Sequence, residues 1–172
     1  MGFPGSTDRY LTSARVREIA EIENVNRIRI RKSALALIEK DMLASDRVRI
    51  QYTAKQSHLS NYYKYSIGQN RGIYLLNVVE RRKAQEEEFQ YWISENPDLI
   101  EKYGDVIEEM DEVIRERKEM ENALSYLGEV FLLHKAVEIY DFALTAIPLY
   151  FNRLGFGNDE DEPKEFINEM RE

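Results

Sequence analysis

From Thr12 onward apolar residues recur at intervals of three and four, first as Val16, Ile19, Ile22 and Val25, then as Leu35, Ile38 and Met42. That spacing keeps one face of an α-helix apolar and predicts a helix A reaching about Ala44, opened by Thr12 or Ser13 as N-cap. Ser45 and Asp46 can cap a second helix, B, whose stripe is Val48, Tyr52, Leu59 and Tyr62 with Lys55 in the remaining place. Its Ala, Glu, Lys and Leu content carries helix B to about Glu95. Gly68 and Gly72 weaken it locally, by about 1 kcal/mol each relative to alanine. Asn96-Pro97 punctuates the chain, with Pro97 suited to the first position of the short helical turn PDLIEKYG. Asp105 followed three residues later by Glu108 has the form of a capping box.

A third helix then shows the most regular pattern in the chain. Val106, Met110, Val113, Met120, Leu124, Leu127 and Phe131 alternate by four and three, with only Arg117 interrupting the seam. A repeat of 3.5 residues sustained this long predicts coiled-coil-like packing against a partner helix, and helix B is the candidate partner. Pro148 is expected to kink or end the helix near Leu144. At the front, MGFPGSTDRY cannot be helix, because Pro4 lacks an amide donor and its flanking glycines favour turns; residues 1–10 read as the tail of a strand. Residues 156–172 read as an acidic tail with at most a short helix from Glu165 to Glu172. The expected fold is all-α, an antiparallel array of long helices with coiled-coil-like packing over residues 11–155.

Composition adds to this picture in two places. The chain has 172 residues, 33% of them charged, and a net charge of -8. This charge is asymmetric: residues 1–83 carry 16 Lys and Arg against 8 Asp and Glu, whereas residues 84–172 carry 8 against 24. Arg27, Arg29, Arg31 and Lys32 alternate with Ile28 and Ile30 rather than with stacking aromatics, so complementary helices packing on each other explain the asymmetry better than nucleic acid does. Cysteine is absent, which removes disulfides, thiolate metal sites and a thiol nucleophile. The most apolar stretch, FALTAIPLYF at 142–151, is far short of the roughly 20 residues of a spanning helix, and no leader opens the chain, so neither export by its own signal nor membrane insertion is expected.

Candidate chemistry is sparse. His134 and Glu138 stand one helical turn apart but lack a third ligand, so neither a metal nor any other cofactor is expected. Asp46, Ser57 and His58 fall on one helix with nothing to supply an oxyanion hole, so no catalytic residue is assigned. Gly68 and Gly72 match no phosphate-cradling spacing. Trp92 with Phe89 and Ile93 reads as a core cluster.

The stretch SNYYKYSIGQNRG, residues 60–72, is different, packing three tyrosines, a Gln-Asn-Arg triplet and two glycines into one segment of helix B. Together with GFPGSTDRYLTS, SDRVRIQYTAKQSHL, LLNVVERRKAQEEEFQYWI and NPDLIEKYG, it resembles the bacterial serine-type dipeptidyl-peptidases of the seven and eleven kind. The resemblance covers residues 2 to about 104 and is diffuse beyond. In that family a chymotrypsin-like double barrel carries a His, Asp, Ser triad, and an all-helical domain inserted between the Asp and the Ser roofs the cleft. The resemblance implies that this chain is a piece of that helical cap and that its first ten residues are the exit from the barrel. By itself the chain would be inactive; the parent would be a hydrolase releasing dipeptides from peptide N-termini, periplasmic or at the cell surface.

The resemblance also implies a site. The asparagine of the family's Ser-Asn-Tyr motif, Asn61 here, would accept a hydrogen bond from the free α-ammonium of a peptide, a side-chain carbonyl being a suitable neutral acceptor. Tyr62, Tyr63 and Tyr65 would wall the cleft, the glycines would permit close approach or a bend, and Arg71 is a weaker candidate for substrate contact. The family's commoner form has tryptophan where Tyr63 stands and methionine where Gln69 stands, and its acid-selective relative uses an arginine outside this segment. The expected partners are thus the peptide substrate and the enzyme's own barrel, with self-association of the separated cap through apolar patches. An alternative of a different class is a stand-alone helical adaptor binding a partner helix through the seam from Val106 to Phe131.

Overall fold

A computed structural model describes residues 10–132, 142–147 and 150. The chain divides into two compact units, Met1–Glu129 and Val130–Glu172. Of the second, residues 142–147 are helical. The expected strand tail apart from Tyr10, the acidic tail, the stop at Pro148 and the His134 and Glu138 pair all lie outside the described residues. Among the described residues there is helix and no strand, so the fold is all-α as expected.

Helix A is the centre of the first unit. It runs as α1, Ser13–Glu18, a π turn at Ile19–Glu23, and α2, Asn24–Ala44. Thr12 caps it, its hydroxyl accepting from the Arg15 amide at 3.2 Å. The π turn admits one extra residue, and this rotates every later position by about 100° relative to the repeat read from the sequence. Val25 is consequently exposed, whereas Asn24 and Asn26 are buried in its place. Beyond the turn the expected face returns at Leu35, with Ile38 and Met42 half-buried.

Ser45 turns the chain in a single residue, its side chain capping α3, Asp46–Leu75. This helix returns antiparallel to α2. As expected, α3 passes through Gly68 and Gly72, with nothing within 4 Å of where a Cβ would stand on either, but it does not run unbroken to Glu95. The interruption comes at Asn77, which adopts the left-handed conformation with φ 47°. Asparagine tolerates this region better than other non-glycine residues. The chain then resumes along helix A as α4, Val78–Ser94, placing Val78 and Val79 on the core formed by Val16, Ala20 and Ile73. At the far end Ser13 donates its amide and hydroxyl to Glu86 of α4, the latter at 2.7 Å.

Pro97 opens the short α5, Pro97–Tyr103, as its position suggested. Asp105 precedes α6, Val106–Glu116, but its side chain makes no cap bond, so the expected capping box is not formed. α7, Lys118–Leu127, follows after a break at Arg117 and leads into a second π turn, Gly128–Leu132. α6 and α7 pack along helix A rather than helix B. They run parallel to it, since successive bonds join Glu18 to Arg117, Asn26 to Asn122 and Arg31 to Glu129. Their apolar seam points outward: Met110, Val113, Met120, Leu124 and Leu127 are 43–61% exposed. Among the described residues that seam makes no coiled-coil contact with helix B, and the row facing helix A is Ile114, Arg117, Ser125 and Glu129. Trp92 is likewise half-exposed on α4, stacked with Phe89 at 6.2 Å, while its neighbour Ile93 is buried.

Candidate functional site

Asn61 sits in the middle of α3 with its side chain exposed. Its amide makes no hydrogen bond to any described residue. It lines an open concavity of about 550 Å³ with Ser57, His58, Ser60 and Lys64. Helical spacing sets its neighbours: Tyr65, Gly68 and Gly72 follow at four, seven and eleven residues and share its face, whereas Tyr63 lies about 200° around the helix. Tyr63 is half-buried. Tyr62 is half-exposed, with the His58 ring tilted against it at 5.5 Å and the Tyr65 ring edge-on at 6.4 Å. Arg71 is exposed, but ten residues of helix displace it by about 15 Å from Asn61. The fold thus gathers Asn61, Tyr62, Tyr65 and His58, and leaves Tyr63 and Arg71 apart from them.

Beneath this face lies a polar layer that apolar periodicity does not disclose. Glu129, 2% exposed, bridges two guanidinium groups, accepting from Arg27 Nε at 2.8 Å and from Arg31 Nε at 2.9 Å. Arg31, also 2% exposed, reaches α3 twice: its Nη1 donates to the Leu59 carbonyl at 3.5 Å, and its guanidinium lies 4.9 Å from the centre of the Tyr62 ring. Burial pushes the Arg31 guanidinium below its ordinary pKa, and Glu129 opposes that shift. Arg27 contacts Ser66 of α3 and the Asn24 carbonyl oxygen, both at 3.4 Å. The Asn24 amide donates to Gln69 and Asn70, and Asn70 donates to the Ala20 carbonyl at 2.8 Å. Gln69 is therefore matched by a buried donor.

The signal for this layer in the sequence is the run Asn24, Arg27, Arg31, whose three- and four-residue steps place polar groups where a helix facing two partners should be apolar. It is also where the charge asymmetry resolves, basic residues of helix A meeting Glu129, while Glu18 accepts from Arg15 and Arg117. A second concavity, of about 270 Å³, lies beside Glu18 and is lined by Glu21, Asp111, Arg17 and Arg115. Burial first, and then the charge of Glu86, hold the Asp111 carboxyl above its usual range against the pull of Arg115 and Arg17. Among the described residues no group of three or more His, Cys, Asp or Glu could hold a metal ion. No described helix is long and apolar enough to cross a membrane. Asp46 pairs with Arg49 at the surface, twelve residues from His58 along α3.

The sequence profile of the family described as Peptidase S46 matches residues 1–161. The chain belongs to that family. Among its curated relatives, a dipeptidyl-peptidase 7 from Porphyromonas gingivalis is 38% identical over 152 residues, covering 88% of this chain and 21% of that protein. A dipeptidyl-peptidase 7 from Porphyromonas endodontalis is 46% identical over 96 residues, 56% of this chain and 12% of that protein. An Asp/Glu-specific dipeptidyl-peptidase from Porphyromonas gingivalis is 29% identical over 172 residues, 99% of this chain and 23% of that protein. The chain spans about a fifth of the length of these S46 relatives, or less.

Proposed function

We propose that this chain is part of the helical cap of a serine dipeptidyl-peptidase, and that Asn61 in it receives the free amino terminus of a peptide. The observation that carries the reading is an exposed, hydrogen-bond-free amide at a concavity on a long, well-packed helix, within a chain of the S46 family. Held at a fixed distance from the nucleophile, the amino terminus would present the second peptide bond for cleavage, so dipeptide length would follow from geometry rather than from side-chain readout. Tyr62 and Tyr65 stand beside Asn61 as rigid walls with polar tips. Tyr63, half-buried about 200° around the helix from Asn61, would not share that wall, and Arg71, being about 15 Å along α3, would meet a later part of the peptide or the barrel.

The proposed partners are the peptide and the enzyme's own catalytic barrel, in a periplasmic or cell-surface setting. The chemistry would belong to the barrel, and the role of these residues is to bind, orient and restrict access. S46 membership does not favour the stand-alone adaptor.

The test is Asn61→Ala in the full-length enzyme, assayed on dipeptidyl reporter substrates with N-acetylated controls. Removing a hydrogen bond to a charged group, worth about 1.5–3 kcal/mol, should lower kcat/KM on free-amino substrates by roughly 10- to 100-fold. Unchanged kinetics would remove Asn61 from the site.

A further inference from the structure

Asn61 can act as a gauge only if its turn of helix stays at a fixed height above the rest of the cap, and the residues beneath it bear on how that is achieved. Three of α3's contacts with helix A in this region are made by two arginines. Arg31 meets the Leu59 carbonyl and the Tyr62 ring, and Arg27 meets Ser66 and, through Asn24, the turn at Gln69 and Asn70. Leu59 and Tyr62 stand on either side of Asn61, so the Arg31 guanidinium spans the residue from below. The guanidinium is itself held by the buried Glu129 carboxylate. A planar, delocalised cation suits this task, because one edge can bond a carboxylate and a carbonyl while its face lies against an aromatic ring; an ammonium offers neither the fork nor the face.

We propose that Arg31, anchored by Glu129, is the positioning residue for Asn61: by gripping Leu59 and Tyr62 it sets the height and rotation of the helical turn that meets the peptide amino terminus. This inference rests on the amino-terminus reading of Asn61. Arg31 is 2% exposed and does not itself touch substrate; it acts through α3.

In the full-length enzyme Arg31→Lys keeps a positive charge beside Glu129 but loses the arm to Leu59 and the flat face under Tyr62. It is expected to raise KM for free-amino dipeptidyl substrates about fivefold, the scale of one hydrogen bond, with kcat changed by less than about twofold. Combined with Asn61→Ala it should add nothing, since a positioning effect disappears once the positioned group is gone. Glu129→Gln weakens the anchor of the guanidinium while leaving every residue of the peptide site in place, and should show the same rise in KM and the same lack of additivity with Arg31→Lys. If Arg31→Lys does not fold by circular dichroism, the Glu129→Gln and Asn61→Ala pair decides by the same criterion. Lowered kcat at unchanged KM, or effects that multiply, would overturn the positioning role. So would unchanged KM in both variants beside an impaired Asn61→Ala. An Asn61→Ala enzyme with normal kinetics would instead overturn the amino-terminus reading, and this inference with it.

Discussion

Asn24 is fully buried, yet it is an amide on a helix whose apolar spacing pointed to Val25. Its side chain donates to Gln69 and Asn70 and accepts from Arg27, so its burial is satisfied rather than costly. Asn24→Ala would strand three partners at once and is expected to destabilise the protein by about 1–3 kcal/mol, measured by urea unfolding. Asp111 behaves oppositely. Its carboxyl is held above the usual range, so the folded state binds the proton more tightly than the unfolded chain does, whose value is about 3.9. Its contribution to stability is present at low pH and lost as pH rises through the window between the two values. Asp111→Asn should therefore raise Tm at pH 7, and the gain should shrink below about pH 4. The amide of Asn61 carries no comparable mark in the sequence alone; a polar residue in the middle of a charged helix reads as surface, and only the motif around it suggested a site.

At the scale of elements, helix existence and most boundaries were legible from capping residues and periodicity. Thr12, Ser45 and Pro97 open helices where their chemistry says they should. Positions that failed did so because a local device intervened. The π turn at Ile19–Glu23 shifts the face of helix A, and no side chain in IAEIE announces it. Helix B, expected to run unbroken to about Glu95, is interrupted at Asn77, where the chain is re-aimed so that Val78 and Val79 pack on Val16 and Ala20. Asn77→Gly should be tolerated, whereas Asn77→Val should cost about 1–2 kcal/mol by forcing a β-branched residue into the left-handed region, checked by thermal unfolding. Thr12→Ala should cost about 1 kcal/mol through loss of the cap of helix A.

At the scale of the molecule, helix A is flanked by helix B running antiparallel and by α6 and α7 running parallel, and the seam of α6 and α7 faces away from both. Met110, Val113, Met120, Leu124 and Leu127 form an exposed apolar row along α6 and α7. The separated chain should associate in a concentration-dependent way by sedimentation. Leu124→Glu should reduce that association without loss of helical circular dichroism, because the side chain contributes to a surface and not to the core.

Taken alone, the sequence determined the all-α class, the helix starts at Thr12, Ser45 and Pro97, and the family, since caps, three- and four-residue spacing and contiguous motifs are local properties written in neighbouring residues. What only the tertiary structure decided is which face of each helix turns inward. An extra residue in a π turn, a guanidinium shared between two helices, and the choice of the polar rather than the apolar side of α6 and α7 each depend on groups some 40 to 100 residues apart in the chain, whose energies exist only once the helices meet.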